Sequence, residues 1–270
     1  MRYRKWIMWL IIICLLAISA FFACSKKLEV HHYEIDAASI SEPVKFAVIT
    51  DLHSSSYGKD METLIHAIDE QTPDAVFLVG DIFDNHYNNK NAWTFVSAMA
   101  QRYPCYYVTG NHEIANETLD NILWQLDGLG VEVLSGHSVT LNIHDQTVRI
   151  SGVDDLLHDN CYQQLRHLIS LESEEDYHIL LSHHPELIEI YNEVGADLVI
   201  SGHAHGGQWR VPFLFPNGLY APHQGALPKY TGGLYTFDSW KLLVSRGLDK
   251  QSVPYPRIFN RPEVVILTLT

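Results

Sequence analysis

Ala196-Asp197-Leu198-Val199-Ile200-Ser201-Gly202-His203-Ala204-His205-Gly206-Gly207-Gln208 carries an apolar, β-branched run straight into two histidines set between glycines. Alternate residues of an extended segment point the same way, so the two imidazoles can converge on one metal ion or on two adjacent ones. The glycines let the backbone bend sharply and pass close to a bound anion. By itself the pair is a modest signal in a chain with 16 histidines. Four earlier apolar runs end in the same manner, and that repetition decides the fold.

Lys45–Thr50 runs into Asp51-Leu52-His53, and Asp74–Val79 into Gly80-Asp81-Ile82-Phe83-Asp84. Cys105–Thr109 runs into Gly110-Asn111-His112-Glu113, and Tyr177–Leu181 into Ser182-His183-His184-Pro185. Helical spacing fills intervals between them at Met61–Gln71, Asn91–Tyr103, Asn116–Leu129, Gln163–Leu171 and Pro185–Val194. Unbroken apolar strands alternating with helices imply an α/β fold with a mostly parallel sheet covered on both faces. Val131–Leu134, Val139–Ile143 and Val148–Val153 read as antiparallel strands of a second sheet. Leu234–Phe237, Lys241–Ser245 and Val264–Leu269 read as closing strands.

Ligands of such sheets bind beyond the carboxyl ends of the strands. One Asp or Asn there is ordinary turn chemistry. Five strand ends that all offer metal-ligand side chains are not. Oxygen comes from Asp51, Asp81 and Asn111, and nitrogen from His53, His183, His203 and His205. These donors are too many for one four-coordinate ion and suit two ions sharing a carboxylate. Mixed nitrogen and oxygen donors without thiolate point to manganese, iron, zinc or cobalt, with manganese or zinc favoured.

Asp-Leu-His, Gly-Asp-x-x-Asp, Gly-Asn-His-Glu, Ser-His-x-Pro and Gly-His-Ala-His-Gly-Gly-Gln, in this order, resemble the calcineurin-like metallophosphoesterase superfamily. Val244–Leu248 and Arg257–Glu263 resemble its branch of membrane-anchored or exported bacterial phosphodiesterases. The resemblance covers about residues 43–270 and implies a four-layer α/β/β/α sandwich. It implies that Asp51, His53 and His205 hold one divalent ion, that Asn111, His183 and His203 hold a second, and that Asp81 bridges them. His112 would act as the acid at the leaving oxygen, oriented by Asp84. The implied reaction is hydrolysis of a phosphodiester or pyrophosphate bond by in-line attack of a hydroxide shared by the ions. Alternatives are a phosphomonoesterase or phosphoprotein phosphatase, and a pyrophosphatase for a lipid of the UDP-diacylglucosamine type. A non-catalytic metal sensor would not need His112.

The 270 residues, 47% of them hydrophobic, suffice for a sizeable core. The net charge is −14, and the first 27 residues hold five bases and no acid, so the remainder sets 13 bases against 32 acids. So acidic a body is a poor scaffold for non-specific nucleic-acid binding, which Lys and Arg carry; it suits a protein that recruits cations and, through them, an anionic substrate. Four cysteines, Cys14, Cys24, Cys105 and Cys161, exclude a disulfide-built scaffold, and nothing in the spacing argues for a Cys105–Cys161 bridge.

Basic Met1–Lys5 precedes Trp6–Cys24, an apolar run of 19 residues. At 1.5 Å per residue it spans roughly 28 Å, close to a bilayer core. Residues 1–24 are therefore expected to form an uncleaved transmembrane anchor, 25–42 a polar linker, and 43–270 the catalytic domain on the extracytoplasmic face. Cleavage and lipidation at Cys24 is the alternative. In the linker, His31 and His32 are expected to be solvated. His66, His86, His137, His144, His158, His167 and His178 are expected on the surface or on helix faces; His223, in the loop Tyr220–Ala226, could approach the site but is expected away from it. His184, before proline, is expected outside the ligand set, as its neighbour or exposed. Val211–Pro216 is expected to pack on the body, although Phe213, Leu214 and Phe215 could instead touch a lipid tail.

Overall fold

The computed structural model describes residues 3, 6–11, 23–170, 176–252 and 255–270. Two six-stranded mixed sheets face each other. The first has the order β1 (Glu29–Ile35), β14 (Glu263–Leu269), β2 (Val44–Ile49), β3 (Ala75–Val79), β4 (Cys105–Val108) and β5 (Glu132–Val133). The second has the order β12 (Gly233–Thr236), β13 (Lys241–Val244), β9 (Leu198–Ser201), β8 (Tyr177–Leu181), β7 (Gln146–Gly152) and β6 (His137–Ile143). A short hairpin, β10 (Tyr220–Ala221) and β11 (Gly225–Ala226), stands apart.

The inner faces close on one core, with Phe46, Val48, Phe77 and Val108 meeting Ile150, Ile179, Ile200 and Leu243. On the outside of the first sheet, Val76, Leu78 and Tyr107 pack against helices Glu62–Asp69, Lys90–Ala100 and Leu119–Gly128 through Leu64, Phe95 and Leu126. On the outside of the second, Leu180, Val199 and Leu242 pack against helices Cys161–Ile169 and Ile188–Val194 through Leu165 and Tyr191. Strands buried on both faces are why these runs carry no polar alternation.

β2, β3 and β4 are mutually parallel, as are β7, β8 and β9. Each trio delivers its carboxyl ends to one edge of its sheet. The Val131–Leu134 stretch differs from expectation. β5 joins the first sheet beside β4, not the second, because a crossover through the 119–128 helix returns the chain parallel to β4. Val139–Ile143 and Val148–Val153 do form an antiparallel pair in the second sheet.

The expected linker 25–42 is not a linker throughout. β1 pairs in parallel with β14 from Glu29↔Glu263 to Ile35↔Leu269, and Ala37 and Ile40 enter the inter-sheet core. Its polar look comes from an edge strand whose charges are paired. Glu29 lies 3.1 Å from the Arg246 guanidinium and 2.9 Å from that of Arg261, and His31 lies 2.8 Å from Arg246. Although burial opposes it, these partners hold the Glu29 carboxyl at about 2. His31 is thus engaged, whereas His32 is exposed.

Most of the expected anchor, at 1–2, 4–5 and 12–22, lies outside the described residues. Among the described residues no helix is long and apolar enough to cross a membrane. Cys24, Cys105 and Cys161 are free thiols. His178, expected at the surface, is buried on β8, where Ser151 and Arg149 bond its two ring nitrogens at 2.7 Å. Burial and the Arg149 charge push it down to about 4. Val211–Pro216 does not pack as expected, since Phe213 and Leu214 are exposed.

Candidate metal centre

The two strand edges meet, and the carboxylates and imidazoles on their loops interleave. His183 Nε2 from β8 lies 3.2 Å from Asp81 Oδ2 beyond β3 and 3.9 Å from Asp51 Oδ1 beyond β2. His53 Nε2 lies 3.5 Å from Asp81 Oδ2, and His205 Nε2 3.6 Å from Asp51 Oδ1. Among the described residues four groups of donor atoms lie close enough to hold a cation, and two of them, Asp51, His53, Asp81 and His205, and Asp81, His183 and His203, share Asp81. Asn111 lines the same cavity with its Oδ1 buried.

The backbone pays for this convergence with strain. Asp51, His53, Asp81, His203 and His205 all adopt positive φ between 44° and 65°, unusual for residues with a Cβ and concentrated here at one site. Gly80 (φ 76°) is required outright, since a Cβ there would fall 2.3 Å from His183 Nδ1.

These residues fit a pair of divalent cations. His53 Nε2, His183 Nε2 and Asn111 Oδ1 are buried with no hydrogen-bond partner, which is costly unless a ligand claims them. His183 Nδ1–H donates to the Val79 carbonyl at 2.9 Å, and His53 Nδ1–H to Asp84 at 2.9 Å. Each bond leaves the Nε2 lone pair free, as a metal ligand needs. Metal–donor bonds of about 2.1 Å at tetrahedral or octahedral angles set neighbouring donors roughly 3–3.5 Å apart, near the spacing observed.

Charge is strongly structured. Burial opposes protonation of His53, but without a cation the Asp84 bond and the charges of Asp81, Asp249 and Asp51 raise it to about 9, so a bound cation would take the place of the Nε2 proton. Burial pushes His205 down to about 4, Asp51 and Asp249 opposing only in part. Asp84 stands between two imidazoles, its Oδ2 2.9 Å from His53 Nδ1 and 3.2 Å from His112 Nδ1. Those contacts and the His86 amide outweigh burial and keep it ionised well below the usual carboxylate range. His112 is partly exposed at the cavity, and its backbone N–H donates to Asp81 Oδ1 at 2.8 Å.

Several supporting residues escaped the sequence reading. Glu113 accepts backbone N–H bonds from Gly110, Asp81, Ile82 and Phe83 at 2.7–2.9 Å, tying the loops after β3 and β4 together. Asp249 faces His205 Nδ1 at 3.6 Å. Asn260, within the Arg257–Glu263 motif, donates to the carbonyls of His205 and Gln208. His184 is buried beside the ligands, 2.7 Å from Glu186 and 2.8 Å from Asp155, its ring 4.0 Å from that of His203. His223, expected elsewhere, places Nδ1 2.9 Å from His203 Nε2. A lone histidine carries no motif spacing that would fix such a contact.

Comparison with known proteins agrees with this geometry. The calcineurin-like phosphoesterase family model matches residues 44–207. The chain is 31% identical over 254 residues to an uncharacterized metallophosphoesterase of Campylobacter jejuni, an alignment spanning 90% of this chain and 64% of that protein. It is 28% identical over 234 residues to phosphodiesterase YaeI of Escherichia coli, spanning 84% and 82% of the two chains. A 5′-nucleotidase precursor from Thermus thermophilus shares the fold, with a TM-score of 0.51 at 14% identity over 77% of this chain and 49% of that one. The chain belongs to the calcineurin-like phosphoesterase family and is a metal-dependent phosphoesterase, a hydrolase of phosphoric ester bonds.

Proposed function

We propose that this phosphoesterase cleaves phosphodiester or pyrophosphate bonds at a membrane surface, tethered by Trp6–Cys24 with the catalytic body on the extracytoplasmic side. The observation that carries the catalytic part is the set of partnerless donors, His53 Nε2, His183 Nε2 and Asn111 Oδ1, converging around Asp81. Asp51, His53 and His205 would hold one divalent ion, Asn111, His183 and His203 the other, and Asp81 both. Bound there, the cations would neutralise phosphate charge and lower the pKa of water towards neutrality.

The chain's own groups do the rest. Asp84 fixes the His53 tautomer and holds the His112 ring at the cavity. His112 then donates a proton to the departing oxygen, help typically worth about 10²–10⁴-fold. Room for a second phosphate substituent favours diesters. The cavity at the metal centre, about 200 Å³, shares Gln208, Tyr220 and Tyr255 with a neighbouring cavity of about 280 Å³ lined also by Trp209 and Leu219. The tether rests on the basic-then-apolar order of Met1–Cys24.

The test is metal analysis of the full chain in detergent, followed by rates on bis- and mono-nitrophenyl phosphate after metal exchange. Two ions per chain and faster diester cleavage are expected. Trace metal with no cleavage would overturn the dinuclear reading, and a preference for the monoester would establish the phosphomonoesterase alternative.

A further inference from the structure

We infer that the rim of the metal cavity is a membrane-contact surface, and that the aromatic cavity behind it takes the apolar part of a lipid-linked phosphoester. This rests on the tethered phosphoesterase reading above and adds to it the surface and the substrate class.

The first observation is an ordered loop that displays apolar side chains. Phe213 is fully exposed, Leu214 71% and Leu227 64%. The segment that bears them is not loose. Leu219 N–H donates to the Gly207 carbonyl, Leu227 N–H to Leu219 and Phe215 N–H to Val211, all at 2.8–2.9 Å. Phe213 and Leu227 sit at φ of 65° and 55°, left-handed backbone that large side chains avoid. A loop pinned in strained geometry with its largest apolar groups turned outward calls for an apolar neighbour.

The second observation is where the apolar amino-terminal stretch joins the body. Phe259 N–H donates to the Ala23 carbonyl at 2.7 Å. On the same short segment, Ile258 pairs with Trp209 and accepts from Arg210 N–H at 2.8 Å. The end of Trp6–Cys24 and the root of the exposed loop are therefore anchored to adjacent residues. A bilayer holding that stretch lies against this rim.

The third is charge. In an acidic chain, Lys26 and Lys250 meet beside Tyr255, and Lys229 follows the exposed Leu227 in the loop. Lys26 Nζ donates to the Lys250 carbonyl, and Lys229 lies two residues from Leu227. Basic groups flanking exposed apolar ones match anionic headgroups over an acyl layer.

Beside the candidate metal site lies the cavity lined by Gln208, Trp209, Leu219, Tyr220 and Tyr255. Tyr220 and Tyr255 also line the metal cavity, so the two adjoin. A lipid-linked phosphoester can place phosphate among the imidazoles while its apolar part stays against Trp209, Leu219 and the tyrosines.

The test uses the full chain in vesicles of three parts phosphatidylcholine to one part phosphatidylglycerol. In a Cys14→Ser, Cys24→Ser background, a nitroxide is attached at Phe213→Cys or, at the far hairpin tip between β6 and β7, at Asp145→Cys. Greater accessibility to oxygen than to a nickel chelate is expected at 213, and the reverse at 145. Vesicles that float with the chain while position 213 is as nickel-accessible as 145 would overturn the surface alone. A chain that fails to float would overturn the tether and the surface together, leaving the phosphoesterase reading to the soluble diester.

For the cavity, Phe213→Ser with Leu214→Ser is expected to slow cleavage of a p-nitrophenyl ester of phosphatidic acid in those vesicles about tenfold or more, with bis-nitrophenyl phosphate turnover unchanged. Equal slowing on both, or a parent that cleaves only the soluble diester, would overturn the lipid assignment.

Discussion

Replacing Glu113 with glutamine tests the architecture of the metal centre more sharply than removing a ligand. Oε1 accepts Ile82 and Phe83 N–H, and Oε2 accepts Asp81 and Gly110 N–H, all in a fully buried setting. Glutamine keeps the shape but turns one oxygen into an NH₂ group, so two of these four amides face a donor. A buried donor left without an acceptor costs about 1–3 kcal/mol, which places the loss at roughly 2–6 kcal/mol. At about 2–4 °C per kcal/mol for a domain of this size, a fall in Tm near 10 °C follows.

Burial and the neighbouring Asp81 charge raise the Glu113 carboxyl to about 7, so near neutral pH it is partly protonated when no cation offsets Asp81. Divalent metal removes that repulsion and favours the ionised form that all four amides require. The loss in Tm is therefore larger with metal than without, and metal affinity falls in step. Scanning calorimetry of parent and variant, each with and without manganese, together with titration of manganese binding, measures both effects. A variant that melts within about 2 °C of the parent in both states and binds metal equally well would refute this account of Glu113.

His112→Ala should retain metal by elemental analysis and lose about 10²–10⁴-fold in turnover; unchanged turnover removes His112 from the reaction. Asp84→Asn disturbs a ligand and the acid at once, so metal affinity should drop about 10–100-fold alongside the rate, read by metal titration and kinetics on the same preparation. His178 is neutral when folded, with its pKa lowered to about 4, so the stability it confers is present above the unfolded value near 6.5 and disappears as pH falls towards 4. His178→Gln should flatten the loss of Tm over that window, and an unaltered profile would count against the assignment. A chain begun at residue 43 lacks β1 and with it Glu29, the partner of Arg246 and Arg261. Its Tm should fall well below that of a chain begun at residue 25, and equal melting would make β1 dispensable.

The strand ends were legible because their signal is local. A buried parallel strand reads as an apolar run, and the residue after it declares its chemistry within a few positions, as Asp51, Asp81, Asn111, His183 and His203 do. The layered α/β plan followed from the same runs. What escaped depends on pairings across long stretches of chain. β1 looked like a spacer because its Glu29 and His31 are satisfied by Arg246, more than 200 residues away. The sheet that β5 joins is not legible, because two residues carry no period that distinguishes one edge from another. His178 looked like a surface residue because its burial depends on Arg149 and Ser151 of the neighbouring strand.

The same distinction separates the candidate ligands from the residues that aim them. Candidate ligands sit at strand ends and declare themselves by type, but the groups holding them come from anywhere in the chain. Asp249 faces His205 from beyond β13, Asn260 binds the carbonyl of that same histidine, and His223 reaches His203 from the loop with the short hairpin. Three of these contacts involve the His203–His205 turn, whose two histidines both have positive φ. That turn is strained and follows a strand of only four residues. It therefore depends on contacts from the carboxyl-terminal third of the chain for its shape. This gives Arg257–Glu263 a physical role, since its Asn260 braces the turn that carries two candidate ligands, whereas Val244–Leu248 steadies the Asp51 loop through the Leu248 N–H, which donates to the Thr50 and Asp51 carbonyls.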